Sequence, residues 1–124
     1  MNLNQITVPS LNVKKAIAFY KKLGLHLIVE RLPDYARFEC PEGTATFSIH
    51  RVPSMTDGEG IWIYFEVAQV NEKVSELQAT GIAFETTPVK QSWLWTEATL
   101  KDPDGNKIII YHAGTNRKNP PWRI

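Results

Sequence analysis

At 124 residues the chain is long enough for one domain with a real core, or for two small modules sharing one, and too short for two independent domains. Its 43% apolar and 22% charged residues exclude disorder over most of the length. Fourteen Lys plus Arg against thirteen Asp plus Glu leave a formal charge of +1, so the total charge offers nothing to nucleic acid.

Taken in chain order, residues 2–8 form an alternating run in which Ile6 and Val8 share one side. An amphipathic helix follows: Val13, Ala16, Ile17 and Tyr20 fall on one face, Lys14, Lys15, Lys21 and Lys22 take the wet side, Ser10 or Asn12 can cap the start, and Gly24 stands just past the end. Strand signals then occupy 25–30, 34–40 and 44–51, the last two joined by the turn Pro41-Glu42-Gly43. The pattern begins again with a run over 60–67 and a helix striped by Val70, Val74 and Leu77, with Asn71 and Glu72 suited to its first turn and Gly81 closing it. Strand signals return at 82–87, 94–101 and 106–112, with Asp102-Pro103-Asp104-Gly105 as the turn between the last two. Each half therefore reads β-α-β-β-β.

The two halves superpose arithmetically. Gly24 and Gly81 lie 57 apart, and the same offset pairs Val13 with Val70, Ile17 with Val74 and Gln5 with Trp62. Pro41-Glu42-Gly43 matches Pro103-Asp104-Gly105 at an offset of 62, which sets His50 on His112. A duplication in which the second copy gained five residues accounts for both offsets. The gain lies between Gly81 and Asp102, where Gln91-Ser92-Trp93-Leu94-Trp95 offers an aromatic lid or pocket wall. After His112 the chain loses its periodicity, and residues 114–124 read as an extended arm that Trp122 and Ile124 would anchor on the protein itself or on a partner subunit.

Val8-Pro9-Ser10-Leu11 leading into Ala18-Phe19-Tyr20-Lys21-Lys22-Leu23-Gly24, with the later Asp102-Pro103-Asp104-Gly105-Asn106-Lys107-Ile108, resembles the vicinal oxygen chelate superfamily over roughly residues 2–113. That group includes glyoxalase, bleomycin-resistance and ring-cleaving dioxygenase proteins. The resemblance implies an α+β fold: two β-α-β-β-β modules, at 2–52 and 58–113, forming a curled sheet around a central cavity with one helix per module on the outside. It also implies a single glyoxalase-like domain over 1–113. Many members hold one divalent metal in that cavity and chelate vicinal oxygens of a substrate, though fold alone does not license the chemistry.

The resemblance places metal ligands on the first and last strand of each module. Gln5 occupies the first position, and its amide oxygen is a weak donor. Trp62 occupies its counterpart and has no lone pair for a metal. Ile109 stands where metal-using members would carry Glu, and the remaining position is Phe47 or Ser48, depending on register. Three protein ligands are a normal minimum for a catalytic metal, so the expectation is no metal and no cofactor. The other route is a rearranged site built on His50 and His112, which read better as strand-end histidines satisfied by neighbours or water.

Strand alternation sends Ile6, Val8, Ile61, Ile63, Phe65 and Val67 towards the helices and leaves Gln5, Thr7, Trp62, Tyr64 and Glu66 to line a cavity. Such a mixture suits a small organic ligand, or else the aromatics plug space a metal would have filled. Trp93 and Trp95 could stack a flat or sugar-like ligand while Glu97 accepts a hydrogen bond, or could pack at a dimer contact or in the core. The ligand-binding candidates are thus Gln5, Thr7, His50, Trp62, Tyr64, Glu66, Trp93, Trp95, Glu97 and Ile109.

The expected function is binding of a small organic molecule without the superfamily metal. The alternatives are a divalent-metal-dependent lyase, isomerase or dioxygenase, and a drug-sequestering protein, for which a +1 chain advertises no acidic groove. Glu66, Glu97, His50 and His112 can exchange protons, yet no spacing among them identifies a reaction, so catalytic residues stay unassigned. Arg37 and Arg51, the cations a glutathione-like substrate would want, are scattered. No phosphate loop, Ser-centred elbow or Cys-His pair occurs. Cys40, the only cysteine, fits a buried hydrophobe better than a nucleophile and fits a reducing, cytoplasmic setting. No signal peptide or membrane span is expected, and a homodimer is.

Overall fold

The computed structural model describes every residue from Met1 to Ile124. The chain packs as two compact units, Met1–Gly60 with Asp102–Asn106, and Ile61–Lys101 with Lys107–Ile124. The first contains β1 (Gln5–Ser10), α1 (Val13–Leu23), β2 (His26–Arg31), β3 (Tyr35–Glu39) and β4 (Thr46–Arg51). Its sheet has the order β1-β4-β3-β2, with β1 parallel to β4 and the other pairs antiparallel. The second contains β5 (Trp62–Glu66), α2 (Val70–Ala79), β6 (Val89–Lys90), β7 (Thr96–Lys101) and β8 (Lys107–His112), ordered β5-β8-β7-β6. The β-α-β-β-β pattern thus occurs twice, as two open four-stranded sheets with one helix each.

Of the two expected caps, Asn12 is the one that acts at the start of α1. Asn12 Oδ1 accepts the Lys15 N–H at 3.1 Å, and Ser10 Oγ accepts the N–H of Asn12 itself. At the other end Gly24, at φ 110°, turns the chain so that its own N–H and that of Leu25 reach the carbonyls of Lys21 and Tyr20. The buried side of α1 comprises Val13, Ala16, Ile17, Tyr20 and Leu23. It faces Ala36, Phe38, Phe47 and Ile49 of the sheet, with the Tyr20 ring 4.5 Å from that of Phe47.

Tyr20 is fully buried, so its hydroxyl needs a partner inside. It donates to Asp102 Oδ2 at 2.6 Å. Asp102 is also buried and accepts three further bonds, from the backbone N–H of Asp104 and Asn106 and from Asn106 Nδ2. The same turn takes the Leu11 N–H on Asp104 Oδ1 and gives Asn106 Nδ2 to the Pro9 carbonyl. Burial, and then the negative charge and hydrogen bond of Asp102, push the Tyr20 phenol far above its ordinary range.

In the second unit α2 buries Val70, Val74 and Leu77 over Ala98, Leu100, Ile108 and Ile110. Asn71 and Glu72 fall in its first turn as expected, while the cap position is Gln69, whose side chain makes no cap bond. Ile61 lies outside β5 and is 70% exposed, against the expectation that it packs under the helix. The strand expected over 82–87 is also absent. There the N–H groups of Glu85 and Thr86 both converge on the Thr99 carbonyl, while Thr86 Oγ1 accepts the Thr99 N–H. A threonine side chain thus replaces a ladder bond, and Pro88, which has no N–H, precedes the two residues that do pair.

Register settles the last-strand ambiguity. Thr7 pairs with Ser48, and its counterpart Tyr64 pairs with Ile109. Ser48 and Ile109 are therefore equivalent, Phe47 belongs to the core side, and His50 corresponds to Tyr111 rather than to His112. The slip arises in the turns: residues 40–45 separate β3 from β4, whereas 102–106 separate β7 from β8. The first turn is one residue longer, and one residue reverses a strand face.

Beyond β8 the chain makes a 3-10 turn at Gly114–Arg117. Glu66 holds it: Oε1 accepts the N–H groups of Ala113 and Gly114 at 3.0 and 2.9 Å, Oε2 lies 3.7 Å from Arg117 Nε, and His112 stands 3.9 Å from Oε1. Burial opposes ionisation of Glu66, but the two backbone bonds and the charges of Arg117 and His112 outweigh it and hold the carboxyl below the usual range.

Two measurements check these packing assignments. Tyr20→Phe should cost about 1.5–3 kcal/mol in urea unfolding, because it removes a donor from a buried carboxylate. Glu66→Gln should lower stability at neutral pH. Because the folded carboxyl is depressed below 4.5, the gap from wild type is complete above that pH and closes as pH falls through the folded value. A gap independent of pH would reject the Glu66 assignment.

Candidate functional site

In each unit the helix packs on one face of the sheet, and register decides what the opposite face carries. In the second unit it presents Trp62, Tyr64 and Glu66 from β5, Lys107, Ile109 and Tyr111 from β8, and Glu97, Thr99 and Lys101 from β7. At its centre is a ring cluster. Trp95 stacks on Tyr111 at 4.9 Å and 28°, and Tyr64 meets both edge-on, at 5.9 Å from Trp95 and 5.3 Å from Tyr111. Ile109, 1% exposed, is the buried floor beneath them.

The inserted stretch is the hairpin loop between β6 and β7. Gln91 N–H reaches the Trp95 carbonyl at 2.7 Å, Leu94 N–H reaches the Gln91 carbonyl, and Leu94 sits at φ 69°. Closed in this way, the loop brings Trp93 Nε1 to 2.9 Å from Glu97 Oε1. Glu97 is 8% exposed, and Trp93 supplies the one protein hydrogen bond its carboxylate makes. Burial, and then the Glu97 charge, raise the Tyr64 phenol above its ordinary value; burial, and then Glu66, do the same for Tyr111. The Lys107 ammonium lies 3.7 Å from the centroid of the Trp62 ring.

The corresponding face of the first unit is polar. Gln5 Nε2 donates to Ser48 Oγ at 2.9 Å, Ser48 Oγ bonds the Tyr35 hydroxyl at 2.8 Å, and Arg37 Nε donates to that hydroxyl at 2.9 Å. Gln5 Oε1 accepts from Thr46, and Thr7 Oγ1 lies 3.3 Å from Gln5 Nε2. His50 lies on this face too, exposed.

Sequence reasoning thus selected Trp62, Tyr64, Trp95, Glu97 and Trp93, which the second unit gathers, and Gln5, Thr7 and His50, which share a face of the first. It missed Tyr111 and Tyr35, and it left Ser48 open as the alternative to Phe47, which the register resolves in favour of Ser48. Alternation along each last strand would have exposed Tyr111 and Ser48, had the turn lengths been known.

The four positions that the family resemblance assigns to a divalent metal do not form a donor set. The Gln5 amide is committed to Thr46 and Ser48, Ser48 is fully buried in its own bonds, Trp62 carries a lysine ammonium on its ring, and Ile109 is an alkyl side chain. No three His, Cys, Asp or Glu side chains cluster in a way that could hold a metal ion. No helix is long and apolar enough to cross a membrane.

Comparison with known proteins agrees with this architecture. The lactoylglutathione lyase of Agrobacterium tumefaciens is similar at 17% identity and a TM-score of 0.74, over 90% of this chain and 92% of that one. A glyoxalase/bleomycin resistance protein/dioxygenase from Nocardioides reaches a TM-score of 0.79 at 17% identity, over 100% of this chain and 89% of that one. A bleomycin-binding protein solved with bleomycin reaches 0.72 at 20% identity, over 90% and 98%. No curated protein matches the sequence significantly. The profile of one family matches residues 2–110, and the chain belongs to it: the Glyoxalase/Bleomycin resistance protein/Dioxygenase superfamily.

Proposed function

We propose that the protein binds a small organic molecule on the aromatic face of its second unit and does so without a divalent metal. The observation that carries this reading is the Trp95–Tyr111–Tyr64 cluster beside the buried Glu97 carboxylate. The rings offer a rigid apolar surface that loses little entropy on binding, and Glu97 offers an acceptor for one N–H or O–H of the ligand in a setting where hydrogen bonds gain strength. Trp93 fixes one Glu97 oxygen and so orients the other. The metal-free part rests on the donor set: Trp62 and Ile109 supply no ligand atom at two of the four expected positions.

A metal-dependent lyase, isomerase or dioxygenase is disfavoured on the same ground. Drug sequestration would use this same face and differs in the absence of turnover; Glu97, the buried carboxylate of this face, favours ligands with a cationic or hydrogen-donating group. A homodimer in the cytoplasm completes the reading, with exposed Trp122 and Ile124 available to a second copy.

The ligand reading is tested with metal-stripped protein, screened by tryptophan fluorescence and thermal shift against planar compounds that carry an N–H or O–H donor. Hits should bind about tenfold more weakly to Trp95→Ala and to Glu97→Gln, and nickel, zinc, manganese or ferrous iron should alter neither affinity nor metal content. Hits that appear only with stoichiometric metal would overturn it. For assembly, sedimentation velocity at micromolar concentration should give a dimer, and a Trp122→Ala, Ile124→Ala variant should move towards the monomer.

A further inference from the structure

The first unit has a feature that the aromatic face does not explain. On its sheet face away from α1, Gln5, Ser48, Tyr35 and Arg37 form a continuous hydrogen-bonded chain across three adjacent strands, ending in a guanidinium. The middle of that chain is anchored: Ser48 is fully buried and bonded from both sides, by Gln5 Nε2 and by the Tyr35 hydroxyl. Tyr35 in turn fixes Arg37 twice, by accepting from Nε at 2.9 Å and by lying under the guanidinium with its ring centroid 5.5 Å from the central carbon.

Arg37 forms no ion pair, although Glu39 lies two residues along the same strand face. Arg51 and Arg117, by contrast, are neutralised by Asp34 and Glu66. With Nε occupied, the edge of Arg37 left for a partner is the one carrying Nη1 and Nη2, whose parallel N–H bonds match two oxygens of a carboxylate or phosphate. A side chain held in advance loses less conformational freedom on binding than a free surface arginine.

We propose that Arg37 is an oxyanion-binding residue of the first unit, taking a carboxylate or phosphate group on its Nη1–Nη2 edge, with Tyr35 and Ser48 as positioning residues. The site is independent of the ring cluster and stands or falls separately from the small-molecule reading above. Because Arg37 is exposed, a lone anion binds weakly, with a dissociation constant on the order of millimolar. A ligand bearing the anion on a larger body would use it for orientation.

The test uses the full chain at constant ionic strength, so that general screening does not vary. Acetate and methyl phosphate are titrated separately while the arginine Nε–H resonances are followed by NMR; neither probe has a ring to engage an aromatic surface. The Arg37 resonance should shift saturably with at least one probe, and which one responds distinguishes a carboxylate ligand from a phosphate. In the backbone amide resonances of Tyr35 and Ser48, followed in the same titrations, Arg37→Met should abolish the saturable shift, Arg37→Lys should weaken the binding it reports about fivefold by losing the paired donors, and Arg31→Met should leave it unchanged. Tyr35→Phe, verified as folded by its melting temperature, should weaken binding while the Nε–H signal moves towards that of a solvent-exposed arginine. No saturable response to either probe, a response that survives Arg37→Met, or equal losses in Arg31→Met would overturn the proposal.

Discussion

The parallel pairing of the first strand with the last, β1 with β4 and β5 with β8, decides the character of the sheet face left uncovered by a helix in each unit. Side chains alternate across a strand, so fixing Thr7 opposite Ser48 and Tyr64 opposite Ile109 sorts all their neighbours at once. One set goes under a helix and becomes core. The other forms a face whose polarity is free to diverge, and it has diverged: hydrogen-bonding side chains around Ser48 in the first unit, rings around Ile109 in the second. One inherited layout thus supports two chemically unrelated surfaces, consistent with function residing in sites rather than folds.

The motifs that identify the superfamily are, in this chain, packing devices. Tyr20 and Gly24 of the first motif close the core and the end of α1, while Asp102 and Asn106 of the second build a turn that satisfies the Tyr20 hydroxyl and the Pro9 carbonyl. Asp102 carries four hydrogen bonds, so substituting it would strand several groups together. A motif of this kind therefore reports the fold faithfully and the reaction poorly.

That division explains what the sequence disclosed. Both helices, the duplication and most strands were readable from the spacing of Val13, Ile17, Val70 and Val74 and from the glycine stops, because helical period and capping are local. The aromatic content of the β6–β7 loop was readable as well, since it has no counterpart in the first copy. The pairing of Tyr111 with Glu66 was not, because it hangs on a single residue of turn length. Nor was the loss of the 82–87 strand, which follows from a threonine side chain competing for backbone bonds across the sheet. The Tyr35–Arg37 contact joins residues two apart on one strand face, yet it acquires meaning only through Ser48 on the next strand.

Glu66 links the surface chemistry of the second unit to a part of the chain that lies outside its sheet. Its side chain springs from the same strand face as Tyr64 and Trp62, but its charge is spent on the amides of Ala113 and Gly114 and on Arg117. The residues after His112 act as a counter-ion built into the polypeptide. A protease cut or a fused tag that displaced them would leave Glu66 as an uncompensated carboxylate on the strand face that already carries Glu97, and would double the negative charge there.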